Sequence, residues 1–287
     1  MSKTYLQSLQ EAKQIFKRYK IASPEINAEL LLSYVVKKPK VELYLNGNQV
    51  LTKNQEQKFK KLIQARIKGK PLQYILGETE FYGLKFKVHK DVLIPRPETE
   101  ILVENVINFY KAKKKKLSIV DWGTGSGNIA IALAKNLNCF VYALDVSQPA
   151  LKVARRNAIG NKVSKKIKFL QSHSFKALGG KIVEKIDCIV ANPPYVKKSD
   201  FKKLPPEIKI FEPKVALLSP KNGLFYLQKI IEEGKHFLKP GGLIALEVAL
   251  GQATKAVKLM EKEEVFKNIQ VKKDLAGILR VVLAQRK

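Results

Sequence analysis

Four consecutive residues, Asn192-Pro193-Pro194-Tyr195, form the most specific chemical pattern in the sequence. They follow the apolar segment Ile186–Ala191, so we expect them to project from the carboxyl end of a buried strand. Proline restricts its own backbone and that of the residue before it. The side-chain oxygen of Asn192 and the main-chain oxygen of Pro193 are therefore predicted to point at one spot, where they can accept both hydrogens of a planar NH2 group.

The nitrogen of such a group, in a carboxamide or an exocyclic base amine, is a poor nucleophile because its lone pair is delocalised. Acceptors on both N–H bonds return electron density to the nitrogen, and proximity and fixed dipoles then supply most of the rate. The ring of Tyr195 can stack on the planar group and favour developing positive charge. The structural alternative is a rigid Pro-Pro turn without chemistry. The predicted catalytic and substrate-binding residues are Asn192, Pro193, Pro194 and Tyr195.

A glycine-rich segment, residues 121–127, lies between a predicted strand and a predicted helix. Glycines there let the backbone approach a ligand closely, and the N-terminus of the following helix favours negative charge. Asp145 ends the next predicted strand about 20 residues on, where a carboxylate can accept hydrogen bonds from ribose hydroxyls. The predicted cofactor contacts here are Gly123, Thr124, Gly125, Ser126, Gly127 and Asp145, with Asn192 beside them.

A nicotinamide dinucleotide or a purely structural turn would also fit a glycine-rich loop. The dinucleotide fingerprint has glycines spaced G-x-G-x-x-G, whereas this loop runs G-x-G-x-G and continues with Asn128. S-adenosylmethionine has no pyrophosphate, and it needs a ribose-binding acid and a shaped loop. Together with the Asn192 motif, the loop favours S-adenosylmethionine as cofactor, S-adenosylhomocysteine as product and methyl transfer as the reaction.

Composition argues against several other classes. No apolar run approaches the roughly 20 residues of a membrane helix, and the first residues do not form an apolar export segment, so we expect a cytoplasmic protein without a membrane partner. Cys139 and Cys188 lie in apolar runs and predict buried thiols, not a disulfide framework. The three histidines lack metal-ligand spacing, so no metal site is predicted.

The formal net charge is +29, from 54 basic and 25 acidic residues. Such a charge can attract the phosphates of a nucleic acid. Only seven of the basic residues are arginine, whereas surfaces dedicated to nucleic acids use arginine freely for its planar fork. General lysine bias is the simpler interpretation, and no stable nucleic-acid complex is expected.

Apolar residues at helical spacing predict a small helical bundle at the start of the chain. Ser23-Pro24 predicts an N-cap followed by a first-turn proline. Thr52 with Gln55 predicts a capping box for a later helix, which Gly69 closes.

From residue 117 onward, strand and helix patterns alternate, which predicts an α/β doubly wound sheet. Ligands of such sheets bind at the carboxyl ends of the strands, near the point where the strand order reverses. The predicted strands are 117–121, 139–145, 167–170, 186–191 and 243–248 with two closing strands, and further helices are predicted near 99–111, 222–237 and 251–260.

Three regions follow from this organisation. Residues 1–75 are predicted to form a helical substrate-recognition domain, and residues 76–98 a linker with a hairpin about Gly83. Residues 99–287 would form the catalytic methyltransferase domain. Arg96, between two prolines, is expected either to brace the domain junction through an ion pair or to lie at the rim of the active site.

The segment Ile94-Pro95-Arg96-Pro97-Glu98-Thr99-Glu100 is more distinctive than the Asn-Pro-Pro-Tyr motif, which is shared with other amino-methyltransferases. With it, the chain resembles the protein-(glutamine-N5) methyltransferases of the HemK/PrmC family. The resemblance covers nearly the whole chain from about Gly69 to Val282 and, more loosely, the N-terminal helices. Other segments that carry it are residues 71–77, 81–83, 144–147, 211–213, 239–242 and 274–277.

The resemblance implies a Rossmann-like class I S-adenosylmethionine-dependent methyltransferase sheet with a small N-terminal helical bundle. The glycine loop and Asp145 would bind the methyl donor, and Asn192 to Tyr195 would bind a glutamine amide. The implied activity is methyl transfer to the side-chain nitrogen (N5) of the glutamine in the Gly-Gly-Gln motif of peptide chain release factors. The N-terminal helices would grip the release factor.

The chain departs from the family pattern at three places. Family members carry an Asp and an aromatic residue against the adenine, where this chain has His173-Ser174-Phe175. Ser174 and Phe175 are carried over as cofactor contacts. Trp122 replaces a small aliphatic residue, and residues 247–252 match the family's Glu-x-Gly-x-x-x-Gln pattern only loosely.

Three other functions stay open from the sequence. An adenine-N6 methyltransferase on DNA or RNA would hold a flipped base with the same motif; the basic charge favours it mildly, but the sequence shows no separate target-recognition domain. A ribosomal-protein glutamine methyltransferase is the second. A non-catalytic S-adenosylmethionine-binding or ribosome-associated module is the third, which the intact Asn192 motif disfavours.

Overall fold

The computed structural model describes residues 3–113 and 115–287. They divide into two compact units, of which the first is Met1–Gly77 with Pro206–Phe211 and the second is Glu78–Pro205 with Glu212–Lys287. In the described part of the chain, no helix combines the length and the apolar character that spanning a bilayer requires.

The first unit is helical. Its helices before the linker are α1 (Tyr5–Arg18), α2 (Pro24–Val36), α3 (Lys40–Leu45), α4 (Lys53–Ile67) and α5 (Leu72–Leu76). The predicted capping box at Thr52 and Gln55 is present at the start of α4. Ser23 is the N-cap residue of α2 and Pro24 begins the helix, as predicted, but Ser23 does not cap it in the expected way. Ser23 has left-handed backbone with φ of 52°, and its side chain does not cap the helix, because a capping side chain reaches the first turn from extended backbone.

A buried arginine joins a distant segment to the helices of the first unit. Arg66 is 6% exposed. Its Nε donates to Asn27 Oδ1 at 2.7 Å, and its Nη1 donates to Glu207 Oε2 at 3.0 Å. Glu207 belongs to Pro206–Phe211, so this ion pair is one reason why that segment packs with the N-terminal helices. The apolar core beside it includes Phe16, Leu31, Leu32, Phe59 and Ile63.

The second unit contains, among the described residues, a two-stranded hairpin and a seven-stranded sheet. The hairpin strands are β1 (Glu78–Phe81) and β2 (Leu84–Lys87), and the sheet strands are β3 (Leu117–Trp122), β4 (Cys139–Asp145), β5 (Ile167–Gln171), β6 (Ile186–Ala191), β7 (Leu238–Glu247), β8 (Phe266–Lys273) and β9 (Leu279–Arg286). The remaining helices are α6 (Glu98–Tyr110), α7 (Asn128–Asn136), α8 (Gln148–Gly160), α9 (Lys198–Phe201), α10 (Pro206–Phe211, in the first unit), α11 (Phe225–Gly234) and α12 (Ala253–Lys262).

The strand order of the sheet is β5-β4-β3-β6-β7-β9-β8. Strands β3 to β7 pair in parallel, and β9 pairs antiparallel with both β7 and β8. The chain runs outward from β3 to β5 and then returns to the other side of β3 with β6. The order therefore reverses between β3 and β6, where ligands of open α/β sheets bind. The predicted doubly wound α/β sheet is confirmed.

The pairing register places the carboxyl ends of β3, β4 and β6 side by side at one edge of the sheet. Trp122 at the end of β3 lies opposite Leu144 of β4 and Ala191 of β6. The residues after Trp122, the carboxylate of Asp145 and the residues after Ala191 therefore start from the same edge of the sheet. Both faces of the sheet are apolar, as burial beneath helices on each side requires. Side chains of α6, α7 and α8 belong to the core on one face, and those of α11 and α12 to the core on the other.

Strand β7 begins earlier than predicted. It starts at Leu238, whereas the predicted strand starts at residue 243. In the structure this stretch continues the pairing with β6 through a register shift, from Ile186 opposite Leu238 to Cys188 opposite Leu243. Glycine tolerates the bulge that such a shift needs.

Candidate active site

The loop after β3 is shaped by the fully buried carboxylate of Asp121. Its Oδ2 accepts hydrogen bonds from Thr124 Oγ1 at 2.6 Å and from the amide of Ala130 at 3.1 Å. Burial raises the pKa of Asp121 to about 7, against the opposing effect of those two hydrogen bonds. The amides of Gly123 and Thr124 both donate to Leu144 O at 2.8 Å. Hydrogen bonds thus hold the loop to both β3 and β4.

Gly127 is the position in this loop where a side chain would not fit. Its φ is +83°, and a Cβ there would lie 3.0 Å from Ile131 Cδ1 and 3.1 Å from Ala154 Cβ. Gly127 is also the N-cap residue of α7. The missing side chain lets α7 begin close against α8 and point its N-terminal amides towards the loop.

Asp145 lies across from this loop, at the end of β4. Its Oδ2 accepts the amide of Gly125 and its Oδ1 accepts the amide of Ser147, both at 2.8 Å. Burial raises the pKa of Asp145, and the two backbone hydrogen bonds oppose that rise. Each carboxylate oxygen has a second lone pair, so the group can still accept hydrogen bonds from a ligand such as a ribose diol.

A cavity of about 890 Å³, including the part open to solvent, lies at this edge of the sheet in the second unit. Seven of the residues predicted from the sequence line it, namely Gly123, Thr124, Gly125, Ser126, Asp145, Asn192 and Pro194. The fold thus brings the glycine loop, the strand-end carboxylate and the Asn192 motif to one cavity.

The side chain of Asn192 is held by a threonine on α6. Its Nδ2 donates to Thr99 Oγ1 at 3.0 Å, and Thr99 is 1% exposed. Both residues line the cavity. Because the NH2 end of the Asn192 amide is bonded to Thr99, the Oδ1 end is the one available as an acceptor for a ligand.

A buried acid adjoins the same pair. Glu247, the last residue of β7, is 1% exposed. Burial raises the pKa of Glu247 to about 7, while hydrogen bonding with Thr99 and the nearby Arg280 favour its ionised form. The pKa of Tyr195 is also raised, to about 12, by burial and by the charge of Glu247. The phenol of Tyr195 therefore stays protonated at neutral pH and does not act as a base.

The residues just after Asn192 are anchored from the segment that follows β7. Gln252 Nε2 donates to Gly223 O at 3.3 Å and to Tyr195 O at 3.5 Å. A Cβ on Gly223 would lie 2.5 Å from Tyr195 O, so only glycine allows this close packing. Despite their loose match to the family pattern, Glu247 and Gln252 both adjoin the Asn192 motif.

Arg96 lines the cavity and also forms an ion pair within the second unit. Its Nη2 lies 2.5 Å from Oε1 of Glu212, whose side chain is 1% exposed. The two roles that the sequence suggested for Arg96, a position at the rim of the active site and an ion pair, are therefore compatible. The ion pair joins the segment before α6 to the segment after α10.

Ser174 and Phe175, the two contacts carried over for the adenine, do not line the cavity. Phe175 is fully buried and stacks on Phe237 with ring centroids 5.6 Å apart. Ser174 Oγ donates to Glu233 at 2.8 Å. The displaced aromatic residue was carried over by its place in the sequence, but here it packs into the core. Ser172, two residues earlier, lines the cavity instead.

Three other predicted residues lie beside the cavity without lining it: Gly127, Pro193 and Tyr195. Conversely, the structure adds cavity residues to which we assigned no role from the sequence. Those with polar or aromatic side chains include Asp91, Thr99, Trp122, Ser147, Ser172 and Tyr226. Thr99 belongs to the distinctive segment around Arg96, which was recognised from the sequence without a role for this residue. Nothing in the local sequence pointed to Tyr226, which packs against Trp122 with ring centroids 5.6 Å apart.

Comparisons with known proteins agree with this geometry. Residues 7–77 match the family described as "PrmC N-terminal domain", and residues 113–280 match the one described as "Methyltransferase domain". Among solved structures, the hMettl16 catalytic domain in complex with MAT2A 3'UTR hairpin 6 is similar with a TM-score of 0.56 and 18% identity. That likeness covers 78% of this chain and 81% of that one, and it concerns the fold alone. The sheet, the loop and the cavity define a class I methyltransferase domain.

Relatives of similar sequence show to which family of methyltransferases the chain belongs. The release factor glutamine methyltransferase of Thermodesulfovibrio yellowstonii is 41% identical over 283 residues, which cover 98% of this chain and 99% of the relative. That of Chlorobaculum tepidum is 37% identical over 265 residues, covering 90% and 89%. The chain belongs to the release factor glutamine methyltransferase family. The resemblance predicted from the sequence is thereby confirmed.

Proposed function

We propose that this chain transfers the methyl group of S-adenosylmethionine to the side-chain amide nitrogen (N5) of the glutamine in the Gly-Gly-Gln motif of peptide chain release factors. S-adenosylhomocysteine is the second product. One observation carries the proposal: the amide of Asn192, beside the cavity of the glycine loop, donates to Thr99 at 3.0 Å. Its Oδ1 is then the end of the amide left to accept a substrate N–H.

The groups around the cavity fit the methyl donor. Asp145 offers a carboxylate already oriented by Gly125 and Ser147, which suits ribose hydroxyls. Residues 123–127 offer a close backbone surface and the start of α7. When bound, the donor supplies an electrophilic methyl group on a positively charged sulfur.

In this mechanism the protein acts chiefly by positioning. Asn192 Oδ1 and the main-chain oxygen of Pro193 accept the two N–H bonds of the glutamine amide and turn its face to the methyl group. Pro194 keeps this backbone rigid, and Tyr195 supports the substrate plane. The C–N bond forms as the methyl–sulfur bond breaks. The nitrogen acidifies as the new bond forms, so its proton can leave to water without a dedicated base.

In this proposal each of three regions of the chain has its own function. Residues 1–75 recognise the release factor, residues 76–98 link the two parts, and residues 99–287 perform the reaction. A cytoplasmic location, where release factors meet ribosomes, belongs to the proposal, as does the absence of any stable nucleic-acid complex or membrane partner.

A substrate panel tests the assignment. The purified chain is incubated with radiolabelled S-adenosylmethionine and, separately, with release factor, DNA, RNA and ribosomal protein, and label in each is counted. We expect label on the release factor, at a level that nuclease treatment does not change. Label on nucleic acid alone would establish the adenine-N6 alternative, and label on ribosomal protein alone would establish a different glutamine substrate.

A further inference from the structure

The amide of Asn192 can only work as an acceptor in one of its two orientations. Rotation by 180° about the last side-chain bond exchanges Oδ1 and Nδ2 with almost no change of shape. In the flipped orientation an NH2 group would meet the NH2 group of the glutamine, and two donors would face each other. Something next to Asn192 must therefore select the productive orientation.

Two buried residues surround the NH2 end of this amide. Thr99, on α6, accepts a hydrogen bond from Nδ2 at 3.0 Å. Glu247, at the end of β7, adjoins this pair, and the polar groups of Thr99 and Asn192 both lower its pKa. Thr99 and Glu247 are each 1% exposed. In the described part of the chain, Oε2 of Glu247 has no hydrogen-bond partner, so this oxygen adds negative charge that no donor offsets.

We propose that Thr99 and Glu247 are positioning residues that lock the Asn192 amide with Oδ1 towards the substrate, an inference that rests on the proposed function. A flipped amide would place Oδ1 against an acceptor oxygen of Glu247, and two acceptors repel. The buried carboxylate thus selects against the unproductive orientation, while the Thr99 hydroxyl bonds the productive one.

The same arrangement strengthens Asn192 as an acceptor. An amide whose NH2 group donates towards an anion becomes more polarised, and its carbonyl oxygen carries more negative charge. That oxygen faces the N–H bonds that become more acidic as the methyl group is transferred. The stabilisation is therefore larger in the transition state than in the bound substrate, which is the condition for a faster chemical step.

The charged groups around Glu247 decide when it is ionised. Burial and, to a smaller extent, Glu98 at the start of α6 raise its pKa, whereas Thr99, Arg280 on β9 and Asn192 lower it, and the net result is a pKa of about 7. Arg280 Nε also donates to Asp274 Oδ2 at 3.1 Å, so its charge is shared. Tyr195 remains neutral in this range. The ionised, locking form of Glu247 is thus lost as the pH falls below about 7.

Turnover variants separate positioning from simple support of the fold. Thr99→Val keeps the shape and removes the hydroxyl, and Thr99→Ser keeps the hydroxyl. Glu247→Gln removes the charge, and Glu104→Gln is the matched control, since Glu104 is an exposed acid on the same helix as Thr99. Single-turnover rates on the release factor are measured from pH 6 to 9, with affinity for S-adenosylmethionine and thermal unfolding for each variant.

We expect Thr99→Val and Glu247→Gln to slow the chemical step about 10- to 100-fold, as the loss of one buried charge-assisted hydrogen bond implies. Donor affinity should change less than about threefold. Thr99→Ser should recover most of the rate, and Glu104→Gln should match the wild type. The wild-type rate should rise through about pH 7, and Glu247→Gln should lack this rise. Wild-type rates in a folded Thr99→Val variant would overturn the proposal.

A second measurement does not depend on the substrate. In protein labelled with 15N-asparagine, the side-chain signals of Asn192 are assigned by their loss in Asn192→Ala. We expect them to shift with a midpoint near pH 7 in the wild type and to stay fixed in Glu247→Gln. Signals insensitive to pH in the wild type would overturn the proposal. A titrating signal without methylation of the release factor would support the locked orientation and contradict the proposed substrate.

Discussion

The main-chain amide of Gly125 donates a 2.8 Å hydrogen bond to the carboxylate of Asp145, which joins the glycine loop to the end of the neighbouring strand. Ser147 donates to the other carboxylate oxygen at the same distance. Since both oxygens are fixed before any ligand arrives, Asp145 presents its remaining lone pairs in one direction. A ligand then binds without the entropic cost of ordering this side chain.

Replacing Asp145 by asparagine should weaken binding of S-adenosylmethionine. The new NH2 group would face either the amide of Gly125 or the amide of Ser147, so one backbone hydrogen bond becomes a contact between donors. We expect the dissociation constant to rise about 10- to 100-fold, measured by titration calorimetry. Glu104→Gln, which removes an exposed charge, should leave the affinity unchanged. An unaltered affinity in Asp145→Asn would exclude this carboxylate from the donor site.

Substitution of Gly127 tests the packing under the loop. Gly127→Ala requires a methyl group at φ +83° and 3.0 to 3.1 Å from Ile131 and Ala154. We expect the free energy of unfolding to fall by about 1 to 3 kcal/mol, measured by denaturant titration. Gly160→Ala is the control, because Gly160 lies in a helix with no atom within 4 Å of the added Cβ. A similar loss in both variants would contradict a role for close packing at Gly127.

The ion pair of Arg96 and Glu212 should contribute to stability, because the carboxylate is nearly inaccessible to solvent. Arg96→Gln is expected to lower the free energy of unfolding by about 1 to 3 kcal/mol. Lys203→Gln breaks an exposed pair with Asp200, whose side chains are 81% and 46% exposed, and should cost less than about 0.5 kcal/mol. Equal effects in the two variants would show that burial of Glu212 does not matter.

The raised pKa of Glu247 predicts how stability depends on pH. Between its ordinary pKa of 4.5 and about 7, the folded protein keeps a proton that the unfolded chain has lost. The stabilisation from this group is therefore complete below about pH 4.5 and disappears as the pH rises through about 7. Relative to Glu247→Gln, the wild type should lose about 1 kcal/mol per pH unit across that window. Parallel curves for the two proteins, measured by urea titration at each pH, would contradict this prediction.

Local patterns predicted most of the fold. Strands β4 and β6 begin and end at the predicted residues, because each is a mainly apolar run with polar residues on either side. The hairpin turn at Tyr82 and Gly83 has positive φ at both residues, as the predicted hairpin about Gly83 requires. Strand β7 was predicted too short, because pairing with β6 overrides the local turn preference of proline and glycine.

The candidate site was predictable where one short segment carries the chemistry. The glycine loop and residues 192–195 could each be recognised from local sequence, and parallel strands bring them to one edge. Thr99 and Glu247 were not assigned roles, because their proximity to Asn192 arises from three elements separated in the chain. Phe175 was assigned a role that it does not fill. It was predicted to contact the cofactor from its position in the sequence, but its ring packs into the core.

The most direct test of the account is to locate the transferred methyl group by tandem mass spectrometry after incubating purified release factor and S-adenosylmethionine with wild-type protein or with Asn192→Ala. The account predicts one methyl group on the side-chain amide of the Gly-Gly-Gln glutamine with the wild type. It predicts a rate at least about 100-fold lower for Asn192→Ala, comparable to the loss of one group in an oxyanion hole, with donor affinity preserved. A methyl group on another atom, or an undiminished rate in Asn192→Ala, would contradict it.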